Sequence, residues 1–290
     1  MPVSINLVDE IAKNHFQHSR KTQWWQESNF KFSNAISQEF SQANPIINFR
    51  SIGKVSIKSI DFGAITSAHL FGLDELIIFS WYEVNSEKYK KTLDLGANIG
   101  LHSLLMNKFG FKVTAYEPDP HHVMLFEQTM QDNGASQYEL RQKAIGTTSE
   151  KLSFTRVLGN TTGSHLTGAK ANPYGELEVF EVNVDAFGDV VREEYDFVKM
   201  DVEGYEVKLI SVLQSKDFET MDIMLEIGTP ENASGMFAEL NRLNIHAFAQ
   251  KINWQEVEKL EDLPTSHREG SLFLTKSSMM NWEKSRVSYD

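Results

Sequence analysis

The chain has 290 residues, 41% of them apolar and 23% charged, and no cysteine, which at ~150 residues per domain suggests one large domain or one and a half, enough for a full core. With 28 Lys and Arg against 40 Asp and Glu the formal net charge is −12, which argues against a large nucleic-acid footprint, since that needs a basic face to displace counterions from phosphates. Disulfides, thiolate metal sites and a cysteine nucleophile are excluded, so any metal would need His or carboxylate ligands.

The opening residues, MPVSINLVDEIAKNH, lack a basic region followed by an apolar run, so no secretory signal is expected. The longest apolar stretch, Leu76 to Tyr82, falls far short of the ~20 residues of a membrane helix. The chain reads as cytoplasmic, with no membrane partner. From Ser4 onward Ile5, Val8 and Ile11 recur three apart and predict an amphipathic helix. Aromatics follow at Phe16, Trp24, Trp25, Phe30 and Phe32. The paired Trp residues suit a sugar-stacking platform or packing onto the main domain, and packing is the favoured reading. KVSIKSI, Lys54 to Ile60, alternates as a strand. Residues 1–73 read as an N-terminal extension, helical with short strands.

From Lys90 to Ile227 strands and helices alternate. KTLDLG is a strand entering a glycine turn, and IGLHSLLMNKF is a helix stopped at Gly110. FKVTAYE is a second strand, after which Asp119 and Pro120 open a helix carrying Val123, Phe126 and Met130 on one face. YELRQKAIG, YDFVKMD and DIMLEIG are the third, fourth and fifth strands, with a helix through Leu209, Ile210 and Leu213 between the last two. This order predicts an α/β, doubly wound fold: a parallel sheet with helices on both faces. Between the third and fourth strands, Lys151 to Val157 and Leu177 to Val184 read as strands flanking a Gly-, Asn- and Thr-rich stretch, Gly159 to Gly175. A connection this long suggests a hairpin arm over the active-site edge. IHAFAQ and SLFLTK are two more strands, and the polar tail, 277–290, is expected to fray.

The sharpest motif is Asp94-Leu95-Gly96-Ala97-Asn98-Ile99-Gly100 at the first strand-to-helix junction. Gly96 allows a tight turn close to a ligand, Gly100 lets the helix start lie close to the strand, and the free amides there suit an electron-rich group. Asn98 stands in place of a third glycine and tolerates left-handed dihedrals. Glu117 ends the second strand, where a carboxylate accepts both ribose hydroxyls. An incidental acid beside an ordinary turn is the bland alternative, but turn and acid together point to an adenosine-type ligand. The missing G-x-G-x-x-G counts against a nucleotide-dependent oxidoreductase or epimerase. An acid two residues before the first glycine suits a ligand with a cationic amino group, such as S-adenosylmethionine. A methyltransferase follows, with a non-catalytic binding module on the same fold as the remaining alternative.

Ligands in open parallel sheets bind beyond the carboxyl ends of the strands. Asp201 lies at such an end, Glu226 near the next, and Glu203 and Glu206 follow within a turn. Methyl transfer needs alignment and removal of the acceptor proton, and the expected base is Asp201, then His165 of the arm. Asp201 could instead cap a helix or receive an ammonium, and Lys199, mid-strand on the same face, reads as a paired structural charge. Mg²⁺ held by Asp201 and Glu226 is the weaker reading, because two acids in sequence do not establish converging geometry. His102 reads equally as facing the cofactor or as a packed histidine. Asn172-Pro173-Tyr174 is a decoy for the Asn-Pro-Pro-Tyr loop of base-methylating enzymes: it lacks the second proline and precedes the fourth strand.

LDLGANIG, YEPDP, RQKAIG and above all VKMDVEGYE, Val198 to Glu206, resemble the FkbM-type S-adenosylmethionine-dependent methyltransferases. The resemblance spans about Asp74 to Ile227 and includes GSHL, Gly163 to Leu166, and the VNVDAF segment. It implies a Rossmann-like sheet of seven strands with the last antiparallel, in a domain over 74–276 whose arm occupies 147–193. It also implies O-methylation of a sugar, glycan or natural-product hydroxyl. By position, Asp94, Gly96, Ala97, Asn98 and Gly100, with His102 nearby, would surround the methionine part of the cofactor. Glu117, with Pro118 beside it, would hold the ribose, and Gln142, Lys143 and Ala144 would border the adenine. Asp201 would lie beside sulfonium and acceptor. Residues 1–73 match no family motif, and neither the acceptor nor the oligomeric state is legible in these residues.

Overall fold

The computed structural model describes residues 3–170 and 175–283; the Asn172-Pro173-Tyr174 decoy and tail residues 284–290 lie outside them. The chain does not start as the expected helix. Ser4–Ile5 form a short strand, β1, followed by a π-helical turn over Leu7–Ile11 and a 3-10 segment over Ala12–Gln17. Ile5 and Ser4 pair with a strand far along the chain, and the buried residues are Ile5, Leu7 and Ile11, a spacing that no α-helical stripe produces. Helix α1, Gln23–Phe40, is capped by Thr22, whose hydroxyl accepts from the Trp25 amide at 3.1 Å. The two Trp residues of its first turn pack inward: Trp24 stacks on His18 at 5.3 Å, and Trp25 Nε1 donates to Asp74 at 3.0 Å. Strands β2, Ile46–Phe49, and β3, Gly53–Ser56, complete a three-stranded sheet with β1.

Helix α2, Leu73–Val84, is apolar almost all round and lies buried. It joins the N-terminal region to the main sheet in one continuous core. There follow β4, Lys91–Leu95; α3, Leu101–Lys108; β5, Lys112–Tyr116; and α4, Pro120–Asp132, opened by the Asp119 cap. The expected third strand is broken in two. β6, Tyr138–Arg141, pairs with β5, but the Lys143 amide turns back to the Arg141 carbonyl, and β7, Ala144–Gly146, joins a second sheet. That sheet holds the arm: β8, Glu150–Val157; β9, His165–Leu166; and β10, Leu177–Ala186, with β8 and β10 antiparallel in register Val157 to Leu177. Short helix α5, Phe187–Val190, leads to β11, Phe197–Met200; α6, Glu206–Ser211; β12, Asp222–Glu226; and α7, Pro230–Leu243. The last strands are β13, His246–Ala249; β14, Gln255–Glu256; and β15, Ser271–Thr275.

The main sheet runs β14-β13-β15-β12-β11-β4-β5-β6. It is mixed: the five strands from β12 to β6 are parallel, and β15 is antiparallel to both β12 and β13. The count is eight against an expected seven because two-residue β14 adds an edge. Alternate residues sort to the two faces: Leu93, Leu95, Val198, Met200, Ile223 and Leu225 meet α6 and α7, while Val113, Ala115, Phe197 and Met224 meet α2, α3 and α4. The chain leaves β4 in one direction for β5 and returns on the other side for β11, so a crevice opens at their carboxyl ends. The tail does not simply fray, for Trp282 is buried against Trp254 and His18, with ring centres 5.5 and 5.1 Å apart. No helix among the described residues is long and apolar enough to cross a membrane.

Candidate active site

The turn after β4 brings two backbones into contact. Gly96 has φ +77°, and a Cβ on it would lie 1.8 Å from the Asp201 carbonyl oxygen. Asn98 adopts φ +51°, and its Oδ1 is buried without a partner. Gly100, at φ +84°, makes room for something other than the expected strand: a Cβ there would meet the Phe126 ring of α4 at 2.7 Å. Asp94 is fully buried beneath the turn, where one oxygen accepts from Ser103 Oγ at 2.6 Å and the other has no partner.

A cleft of about 620 Å³ opens beside this turn, with Gly96, Asn98 and Asp201 at its floor. Glu117 and Pro118 line one wall, followed by Lys143 and Ala144. Gln142 is not brought to the cleft, and Lys143 Nζ is drawn to Asp185 at 2.9 Å. Glu117 is 4% exposed; burial pushes its carboxyl up to about 8, although the amides of Asn98 and Asp119 donate to it at 2.8 and 2.9 Å. The arm closes the opposite wall with Phe154, Ser164, His165 and Leu166. It is pinned by Arg156, which donates to both oxygens of Asp119 at 2.6 and 2.5 Å, and by a His122–Thr161 hydrogen bond of 3.1 Å. His165 Nδ1 donates to the Gly163 carbonyl at 3.1 Å, and burial holds the ring below the usual imidazole range, so it is neutral with Nε2 as the acceptor nitrogen.

Two further hollows adjoin. A smaller one of about 380 Å³ shares Gly96, Asn98 and Asp201 with the cleft and adds Ala97, His102, Lys199 and Glu75. Both nitrogens of His102 are occupied, by Glu75 and Tyr82 at 2.9 Å each. A groove of about 1490 Å³ runs between the N-terminal region (Trp25, Ser37, His69) and the sheet end (Glu226, His267). Lys199 is buried and 3.2 Å from Asp201. Burial opposes both charges, but each outweighs that for the other: the ammonium is held above its ordinary range and the Asp201 carboxyl below its own. Glu203 pairs with Lys170 of the arm. Glu206, pushed up to about 7 by burial, accepts from the amides of Val202 and Gly204. Burial likewise lifts Glu226 to about 7, and Glu226, 3.3 Å away, lifts His267 to about 9. Asp201 and Glu226 are thus each engaged by a cation, and among the described residues no three His, Asp or Glu side chains converge as a metal site. Glu75 and His267 were not singled out from sequence, where neither belongs to a motif.

A mixed α/β sheet with its crevice between a glycine turn and a strand-end acid is the architecture of a nucleoside-binding α/β domain. The methyltransferase FkbM domain matches residues 94–249, and the chain belongs to that family, whose methyl donor is S-adenosylmethionine. No curated protein matches in sequence. Among solved structures, monomeric WbdD is 9% identical with TM-score 0.40 over 72% of this chain, which spans 42% of the WbdD chain. A SAM-dependent methyltransferase from Agrobacterium tumefaciens is 9% identical with TM-score 0.42, over 80% of this chain and 69% of that one. A ribosomal protein L11 methylase from Lactobacillus delbrueckii subsp. bulgaricus is 13% identical with TM-score 0.38, over 68% and 77%.

Proposed function

We propose that the chain transfers the methyl group of S-adenosylmethionine to a hydroxyl oxygen of a small-molecule or glycan acceptor. One observation carries this reading: the strand-end acid on the cleft wall, Glu117, keeps lone pairs beyond its two amide bonds, and beside it the Oδ1 of Asn98 in the glycine turn has no donor. A nucleoside with ribose hydroxyls and an ammonium group supplies donors to such a set, so the residues fit this cofactor. A pyrophosphate would meet acceptors where it needs donors, which disfavours a dinucleotide.

When bound, the cofactor supplies an electrophilic methyl group on a sulfonium. The chain's own residues hold and align. Glu117 would take the ribose, Lys143, Ala144 and Phe154 would border the base, and the turn Gly96 to Asn98 would take the methionine part. Asp94, shielded below the turn, supports it through Ser103. Asp201, with Lys199 holding its carboxyl low, is better suited to keeping a charge near the reacting centre than to taking a proton. Among the described residues, His165 lines the nucleoside cleft and neither of the two adjoining hollows. Residues 1–73 would act as the acceptor-side extension of a 74–276 catalytic domain, since α1 walls the large groove. The net charge of −12 favours a small molecule or glycan over nucleic acid there.

Calorimetry with S-adenosylmethionine, S-adenosylhomocysteine and NAD, followed by turnover on a panel of hydroxyl acceptors, tests the reading. Binding of NAD in place of S-adenosylhomocysteine overturns it. Tight S-adenosylhomocysteine binding with no turnover on any acceptor favours a non-catalytic binding module.

A further inference from the structure

Three hollows adjoin in series at the carboxyl end of the sheet: the cleft and the smaller hollow share Gly96, Asn98 and Asp201, and one side chain links the smaller hollow to the large groove. Among the described residues, only Glu75 lines both the smaller hollow beside the glycine turn and the large groove. It stands in the first turn of α2, where the helix dipole favours an anion. Its Oε2 accepts from His102 Nε2 at 2.9 Å, and His102 Nδ1 accepts from the buried Tyr82 hydroxyl at 2.9 Å. A carboxylate only accepts, so this chain of bonds sets the tautomer: hydrogen on Nε2, lone pair on Nδ1. Glu75 Oε1 makes no hydrogen bond among the described residues.

The other carboxylates at this end are engaged by cations or amides, and Asp94, with one oxygen unpartnered, is sealed beneath the glycine turn. Lys199 holds Asp201, Lys170 holds Glu203, His267 holds Glu226 and Arg20 holds Asp74, while two backbone amides hold Glu117. Among the described residues Glu75 is hydrogen-bonded by an imidazole alone, with the Lys199 ammonium acting on it through charge across the same hollow, and it stands where an acceptor in the groove meets the donor side.

We propose that Glu75 takes the proton from the acceptor hydroxyl, with His102 and Tyr82 as positioning residues; this rests on the reading of methyl transfer to a hydroxyl group. The acceptor oxygen forms the new C–O bond as the methyl–sulfur bond breaks and leaves its electron pair on sulfur. The O–H proton passes to Glu75 and leaves to solvent through the groove.

The test uses the full chain, with S-adenosylhomocysteine calorimetry and initial rates of methyl transfer into a pool of monosaccharides, polyols and hydroxy acids. For Glu75→Gln, kcat is expected to fall about 100-fold or more, the usual worth of a general base. The KM for donor and the affinity for S-adenosylhomocysteine should stay within about threefold, and Glu75→Asp should recover part of the loss. His102→Gln should lower kcat about tenfold with the same unchanged binding, and should add nothing to Glu75→Gln, because it acts through that carboxylate. A Glu75→Gln protein keeping more than about a third of wild-type kcat overturns the proposal. So does one whose S-adenosylhomocysteine affinity falls in step with kcat, which makes Glu75 a cofactor ligand. Wild-type protein that binds no S-adenosylhomocysteine overturns the methyltransferase reading and this proposal with it. Wild type that binds it yet methylates nothing in the pool overturns the hydroxyl acceptor on which the role of Glu75 rests.

Discussion

Replacing Glu117 by Ala removes the carboxylate that the end of β5 presents to the nucleoside cleft. Two ribose hydroxyls donating to a carboxylate contribute about 1.5–3 kcal/mol each. Burial has pushed this carboxyl up to about 8, so at pH 7 binding must first ionise it, at a cost of about 1.4 kcal/mol. The balance is about 1.6–4.6 kcal/mol, or roughly 15- to 2400-fold weaker S-adenosylhomocysteine binding in Glu117→Ala. The sign in pH follows from the same shift. Binding uses the anion, so wild-type affinity should rise with pH up to about 8 and then level off, with close to one proton released per ligand at pH 7. The variant should show neither effect. Between 4.5 and about 8 the folded chain keeps a proton that the unfolded chain has lost, so this group's contribution to stability falls as pH rises through that window. Alanine abolishes that fall, and the fold should survive, with the amides of Asn98 and Asp119 turning to cleft water. Calorimetry from pH 6 to 9 in two buffers of different ionisation heat reads all of this. Variant affinity within about threefold of wild type, or a flat wild-type pH profile, would refute the ribose assignment and the burial argument respectively.

Three further outcomes are expected. Gly96→Ala forces a methyl group to 1.8 Å from the Asp201 carbonyl oxygen at φ +77°; a loss of about 3 kcal/mol or more in chemical denaturation is expected, and an unchanged midpoint would exclude the backbone contact. His267, lifted by Glu226 from 6.5 to about 9, adds stability that is complete below 6.5 and lost as pH rises through 9. The wild-type melting temperature should therefore drop further between pH 7 and pH 9.5 than that of His267→Gln, and equal drops would remove the pair from the account. Trp282→Ala empties a ring site against Trp254 and His18 and should cost about 3 kcal/mol in urea; wild-type stability would mean that the segment is not docked.

The central elements were legible because their signals act over a few residues. Alternation in KTLDL, KVTAY and FVKM puts one face of each strand into each core, and Asp119-Pro120 and Gly110 mark helix ends wherever they fall. The strand-end position of Glu117 and the left-handed tolerance of Asn98 were readable for the same reason. Readings that depended on a distant partner went wrong. The period-three start gave way to pairing of Ser4–Ile5 with Asn48–Phe49, the third strand broke where Ala144–Gly146 found β10, and Gly100 accommodates a ring of α4 that no local pattern names.

What the sequence determined by itself is the α/β alternation, the glycine turn and the acid at the second strand's end, since each is a short-range matter of periodicity, dihedral and spacing. Only the tertiary structure decided which acids are still unclaimed. Whether a carboxylate such as Asp201 or Glu75 is held by a lysine or left to an imidazole depends on side chains from elements far apart along the chain, which the packing of α2 and α3 at the sheet's end brings within hydrogen-bond reach.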